Sequence, residues 1–281
     1  MTEMRTAPST DLREAGQAGA DVRRDAELAV SVRHFTIDCD GETLTCAEAV
    51  PPARHLPSPS LSPSEPLAAV VLHGAGNGDK QSPTVLATHL AARGHHGLAF
   101  DFSGHGASTG RLSELSLERR FEQARTVVDS QLPTDRRLLL IGFSMSGQTV
   151  ADLAAHYGPR VAAIGLGAPA VYAAEAWPVP FGAGFTGIIR TPESWRTSPA
   201  LDTFRGLPAA VRAVLATPAV DEVIPPAVTE AVDEALTGSD AQYTRLVLPA
   251  ADHRMSIWFA GDGTSRGDFL DALLGAGDAR P

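Results

Sequence analysis

The chain has 281 residues, of which 43% are hydrophobic and 20% charged, a composition that suits a soluble globular protein with one large domain or two modest ones. Its 23 basic and 33 acidic residues leave a net charge of -10, which argues against binding a phosphate backbone or an anionic membrane surface. No stretch approaches the ~20 apolar residues of a membrane span. Residues 1–27 also lack the apolar segment of a secretory signal.

In chain order, residues 1–27 are rich in Ala, Gly, Thr, Arg and Asp without a sustained apolar face, and are predicted to be disordered. Apolar alternation over 28–36, the turn pair Asp40-Gly41 and a second strand near 43–49 predict an antiparallel hairpin. In such a hairpin Cys39 faces Glu42 and Cys46 faces Phe35, so the two cysteines are not disulfide partners. They read as reduced, and the protein as cytoplasmic. The proline/serine stretch 51–66 cannot join a central strand and reads as a surface insertion.

From residue 67 strands and helices alternate. Buried strands are predicted at 68–72, 97–100, 138–141, 161–166, 211–216 and 244–248. Helices are predicted at 84–92, 115–132, 148–156, 227–236 and 268–274. The alternation predicts an α/β domain over 28–276, with a mostly parallel sheet, helices on both faces and a tail at 277–281. Residues 171–205 interrupt it with Trp177, Pro178, Pro180, Phe181, Phe185 and Trp195. No internal repeat is present.

The apolar run Leu138-Leu139-Leu140-Ile141 leads into Gly142-Phe143-Ser144-Met145-Ser146-Gly147 and then into a helical stretch. A strand that turns sharply into a helix through small residues around a serine holds that serine strained, with its hydroxyl above the sheet. The helix N-terminus then faces the place where negative charge develops. Position 146 is Ser where a glycine is usual, and the glycine frame fits only Ser144 as the nucleophile.

The glycine-rich segment His73-Gly74-Ala75-Gly76-Asn77-Gly78 leaves backbone N–H groups free. Alone it reads as a strand-to-helix turn. Beside a nucleophile, the amides of Ala75 and Met145 are the candidate oxyanion donors, each worth about 3–4 kcal/mol. A serine hydroxyl also needs a base, and the base needs an acid to orient it. His253 is the candidate base, in the loop after strand 244–248. His34 and His55 lie in the leading segment, and His89, His95, His96 and His156 on or beside helices. Asp221 follows strand 211–216 and is the candidate acid, with Glu222 in reserve. Asp252 adjoins His253 covalently and cannot easily meet its ring. Within Asp101-Phe102-Ser103-Gly104-His105-Gly106, His105 reads as structural and Asp101 as a turn anchor.

The order Ser144, Asp221, His253 resembles the α/β-hydrolase superfamily over roughly residues 28–276. His73-Gly74-Ala75-Gly76, Asp101 with Gly104-His105-Gly106-Ala107-Ser108, the elbow at Ser144, Asp221 with Pro225, and Asp252-His253 carry the resemblance. Within the superfamily the chain is most similar to small esterases, serine-aminopeptidase-like and dienelactone-hydrolase-like groups. The resemblance implies the α/β-hydrolase fold, with a mostly parallel eight-stranded sheet and a small cap insertion at about 171–205. It also implies a Ser144–His253–Asp221 triad, no cofactor and no metal. Tyr172, Trp177, Phe181, Phe185 and Trp195, with Met145, Met255, Ile257 and Trp258, either line an apolar pocket or pack the insertion onto the core.

The expected partner is a small to medium, largely apolar carboxylic ester, with neither nucleic acid nor membrane. No Arg cluster favours a phosphorylated or CoA-bearing substrate, and a serine elbow sets aside the aspartate-nucleophile enzymes of this fold. Two other readings stand beside ester hydrolysis. One is a biosynthetic tailoring enzyme that uses the triad for acyl transfer, cyclisation or elimination of an acyloxy group. The other is a ligand-binding receptor with a vestigial triad.

Overall fold

Strands β1 (Ser31–Cys39) and β2 (Glu42–Val50) form the hairpin that the Asp40-Gly41 pair signals. Asp40 at φ 53° and Gly41 at φ 82° supply the two positive angles of a two-residue turn whose twist matches the strands. Cys39 pairs with Glu42 and Phe35 with Cys46, so both thiols are free and buried. The computed structural model describes residues 30–52 and 65–275. The segment 1–27, the tail 277–281 and most of the proline/serine insertion lie outside the described residues.

The remaining strands are β3 (Ala68–Leu72), β4 (His96–Phe100), β5 (Leu138–Phe143), β6 (Val161–Gly167), β7 (Arg212–Pro218) and β8 (Gln242–Leu248). Together the eight form one sheet in the order β1-β2-β4-β3-β5-β6-β7-β8. Only the β1–β2 and β2–β4 pairs are antiparallel; the other pairings are parallel. Ala68, Val70 and Leu72 of β3 pack against one layer, while Ala69 and Val71 pack against the other. A strand buried on both faces gives the continuous apolar run seen in the sequence.

Helices α1 (Gln81–Ala92), α2 (Leu117–Gln131), α3 (Ser146–Tyr157), α4 (Thr186–Ile189), α5 (Pro199–Arg205), α6 (Pro226–Thr237), α7 (Met255–Gly261) and α8 (Gly263–Leu274) complete the fold. Val127 of α2, Val150 of α3, Phe204 of α5 and Val232 of α6 fill one face of the sheet. Leu86 and Leu90 of α1, Phe259 of α7 and Phe269 of α8 fill the other. Each such side chain contributes about 1.5–3 kcal/mol on burial.

Several helices differ from expectation, among them α8, which begins at Gly263 rather than at residue 268. α1 begins three residues before the predicted start, because Pro83 sits in the first turn, where its missing N–H has no partner to lose. α5 and α7 span seven residues each, too short for a periodic signal to stand out. The 171–205 insertion consists of short turns, α4 and α5.

Asp101, expected as a turn anchor, is fully buried after β4 and joins three segments. Its Oδ1 accepts from the Lys80 amide at 2.6 Å, and its Oδ2 accepts from Lys80 Nζ at 2.6 Å, Thr45 Oγ1 at 2.7 Å and the Ala107 amide at 3.1 Å. Burial alone would raise its pKa. The Lys80 and Thr45 side chains and the two amides outweigh burial and hold it below the usual carboxylate range. A depressed folded pKa means that the stabilisation is present above the ordinary carboxylate pKa and lost as pH falls through the depressed value. Asp101→Asn is therefore expected to lower unfolding free energy at neutral pH by about 3 kcal/mol in urea titrations, because it strands Lys80. The gap to wild type should narrow only in strong acid.

Candidate active site

β5 ends at Phe143 and α3 begins at Ser146, so the chain reverses within two residues. Ser144 takes φ 51°, a left-handed conformation that costs a non-glycine residue about 1–3 kcal/mol. The surroundings hold it there. Its amide donates to Gly167 O of β6 at 3.0 Å, and its carbonyl accepts from the Gly147 and Ala170 amides at 2.9 Å each. A Cβ on Gly142 would lie 2.5 Å from Ser146 O, and one on Gly147 would lie 2.6 Å from Pro169 Cβ. Both positions therefore require glycine.

Ser144 Oγ lies 3.0 Å from His253 Nε2, and His253 Nδ1 lies 2.9 Å from Asp221 Oδ2. Asp221 Oδ1 accepts from the Val223 and Ile224 amides at 2.8 and 2.9 Å, which leaves Oδ2 for the imidazole. An ionised carboxylate only accepts, so Nδ1 carries the proton and Nε2 presents its lone pair to the serine hydroxyl. The structure thus brings together the three residues singled out from separate loops. Glu222 is exposed, and Asp252 pairs outward with Arg254 Nη2 at 2.6 Å.

Gly74 lies against the serine: a Cβ there would sit 3.2 Å from Ser144 Cβ. The amides of Ala75 and Met145 donate to no acceptor among the described residues. Two free N–H groups beside a serine hydroxyl are what an oxyanion requires. The neutral, buried His73 braces this loop. Its Nε2 accepts from the Phe102 amide at 3.2 Å, and its Nδ1–H meets Gly74 O at 2.6 Å. Burial first, then the neighbouring Arg120 and His105, push its pKa well below the usual histidine value. His105 is also buried, 4.8 Å from the His73 ring, with its Nδ1 bound to Ser103 O at 3.0 Å.

The serine that replaces the usual glycine at 146 has a specific partner. Ser146 Oγ donates to His73 O at 2.6 Å and accepts from Arg120 Nη2 at 2.7 Å, while the same Nη2 reaches His73 O at 2.9 Å. Arg120 is fully buried, with its guanidinium 3.7 Å from the centre of the Phe102 ring. Burial pushes its pKa down to about 9. Arg120 thus joins the elbow to the glycine-rich loop. Sequence reasoning missed it, although Leu117, Arg120, Ala124 and Val127 share one helical stripe that places the arginine on the buried face.

Met145, Leu117, Ala176 and Phe185 form an apolar cluster beside the site, with Ala75, Tyr172, Trp177 and Phe181 packed against it. Trp195 and Met255, which the sequence groups with these residues, do not join it. Trp195 packs on the main core, and Met255 is buried on the opposite face of the sheet, because α7 turns it inward toward Phe143 and Phe259. Among the described residues no group of three or more His, Cys, Asp or Glu side chains converges as metal ligands, and no helix is long and apolar enough to cross a membrane.

Residues 64–197 match the family model described as serine aminopeptidase, S33. No curated protein matches the sequence. Among solved structures, Est1E from Butyrivibrio proteoclasticus with ferulic acid bound superposes with a TM-score of 0.62 at 17% identity, over 86% of this chain and 99% of that one. The thioesterase domain from the curacin biosynthetic pathway gives 0.59 at 17% identity, over 85% and 99%. An α/β serine hydrolase without a lid from Xanthomonas campestris gives 0.58 at 20% identity, over 89% and 97%. The chain has the α/β-hydrolase fold, and its residues 64–197 are similar to the serine aminopeptidase family.

Arg120 offers a test that separates positioning from stability. Arg120→Met removes a buried cation that has no carboxylate partner among the described residues, and His73 O keeps its bond from Ser146 Oγ. The melting temperature is therefore expected to hold or rise. The rate at which a fluorophosphonate labels Ser144 is expected to fall about tenfold, as loop and elbow lose their shared donor.

Proposed function

We propose that the protein is a serine hydrolase of small to medium, largely apolar carboxylic esters, working through an acyl-enzyme on Ser144. The observation that carries this reading is the hydrogen-bonded line Ser144–His253–Asp221 at a strained elbow. His253 Nε2 takes the Ser144 proton as Oγ attacks the ester carbonyl, and Asp221 stays ionised to hold the Nδ1–H and the imidazolium that forms. The Ala75 and Met145 amides receive the negative charge on the carbonyl oxygen. His253 then protonates the leaving alkoxide, and the alcohol departs. Water, deprotonated by the same nitrogen, attacks the acyl-enzyme and releases the acid.

Exposed Val220 and Val223 beside Asp221, exposed Ile257 on α7, and the cluster around Met145 support an apolar substrate. Two free, buried cysteines suit a reducing compartment such as the cytoplasm.

Intact mass after exposure to a serine-directed fluorophosphonate is the first test. One adduct is expected on the wild type and none on Ser144→Ala; a folded wild type without an adduct would overturn the reading. Asp221→Asn, which misdirects the imidazole, is expected to lower kcat on 4-nitrophenyl butanoate by about 10,000-fold.

A further inference from the structure

A cavity of about 230 Å³ lies between α3 and the 171–205 insertion, lined by residues that include Leu117, Gln148, Asp152, Tyr172, Trp177 and Pro199. Its walls are aliphatic and aromatic except at Gln148 and Asp152. Gln148 is engaged on both ends. Its Oε1 accepts from the Tyr172 amide and from Ser198 Oγ at 3.2 Å each, and its Nε2 donates to Asp152 Oδ1 at 2.9 Å. Asp152 Oδ2 accepts from Trp177 Nε1 at 3.1 Å.

Asp152 therefore has two neutral donors and, among the described residues, no Lys, Arg or His paired with it. Burial pushes its pKa up to about 6, against the smaller opposing effect of the Gln148 and Trp177 bonds. Asp101 differs in this respect, since its charge is met by Lys80. A desolvated carboxylate walled by aromatic rings lacks a counter-charge, and an organic cation supplies one while its apolar stem fills the cavity.

We propose that this cavity is a subsite for a primary ammonium group on an apolar chain, with Asp152 as its counter-ion and the Trp177 and Tyr172 rings as its walls. Asp152 stands six residues beyond Ser146 on α3, about 9 Å along the helix. Leu117, Tyr172 and Trp177 also belong to the apolar cluster of Met145, the residue next to Ser144. These three residues thus belong both to the cavity lining and to the cluster beside the nucleophile. That the ammonium belongs to a substrate rests on the hydrolase reading; the binding site itself does not.

The test is calorimetric titration of the wild type at pH 8 with hexylammonium chloride and, separately, with 1-hexanol, a neutral analogue of similar size. Hexylammonium is expected to bind at least tenfold more tightly. Asp152→Asn, which keeps an acceptor for Trp177 Nε1, is expected to erase that preference, and Ser144→Ala to preserve it. Equal affinities in the wild type overturn the subsite whether or not the Asn variant folds. A preference that survives in folded Asp152→Asn overturns it too, by assigning the cation to other carboxylates. Ammonium preference without a fluorophosphonate adduct leaves the subsite standing and removes the hydrolase reading. An adduct without ammonium preference does the reverse.

Discussion

Ser144 sits at φ 51° because β5 has to become α3 within two residues, and a side chain in that conformation persists only where its neighbours leave no alternative. Those neighbours come from several parts of the sheet. β6 supplies Gly167 O to the serine amide, and Ala170 supplies a donor to its carbonyl. Gly142 and Gly147 allow an approach that any side chain would block. The reversal places the hydroxyl at the carboxyl ends of the parallel strands, where the loops carrying Asp221 and His253 also emerge. Displacing the turn would separate Ser144 Oγ from the imidazole.

The elbow carries a second constraint through Ser146. A glycine there would satisfy the turn but offer no hydroxyl. The serine instead bonds His73 O and receives Arg120, so the elbow and the glycine-rich loop share one donor set. Arg120 Nε and Nη1 have no partner among the described residues, and its compensation is the face of Phe102. A guanidinium in this setting carries a desolvation cost that an apolar residue would not. Its presence is most economically explained by what it positions, the carbonyl that begins the Ala75 loop.

Buried charge is handled in two different ways in the molecule. Asp101 is surrounded by four donors, one of them cationic, and acts as an inert clamp between β2, the start of α1 and the loop after β4. Among the described residues Arg120 and Asp152 each lack a countercharge; Tyr172 lines the cavity with Asp152 and interacts with Arg120. Charge compensation thus rigidifies the frame, while Arg120 ties the elbow to the glycine-rich loop and Asp152 faces the cavity.

Much of the architecture follows from local features. A two-residue turn sets the β1–β2 register, and strands covered on both faces appear as unbroken apolar runs such as 68–72 and 138–141. The elbow is legible for the same reason, since its small residues and its flanking strand and helix are contiguous. Ser144 and His253, by contrast, are 109 residues apart, and His73 and Ser146 are 73 apart. Order along the chain identified Ser144, Asp221 and His253 as a set, but their hydrogen bonds exist only because the strand order brings three loops to one edge. Burial of Arg120, the inward turn of Met255, the placement of Trp195 on the main core and the uncompensated charge on Asp152 were likewise decided by tertiary packing. Short-range patterning reports which face of an element avoids water; which groups meet on that face depends on elements distant in sequence.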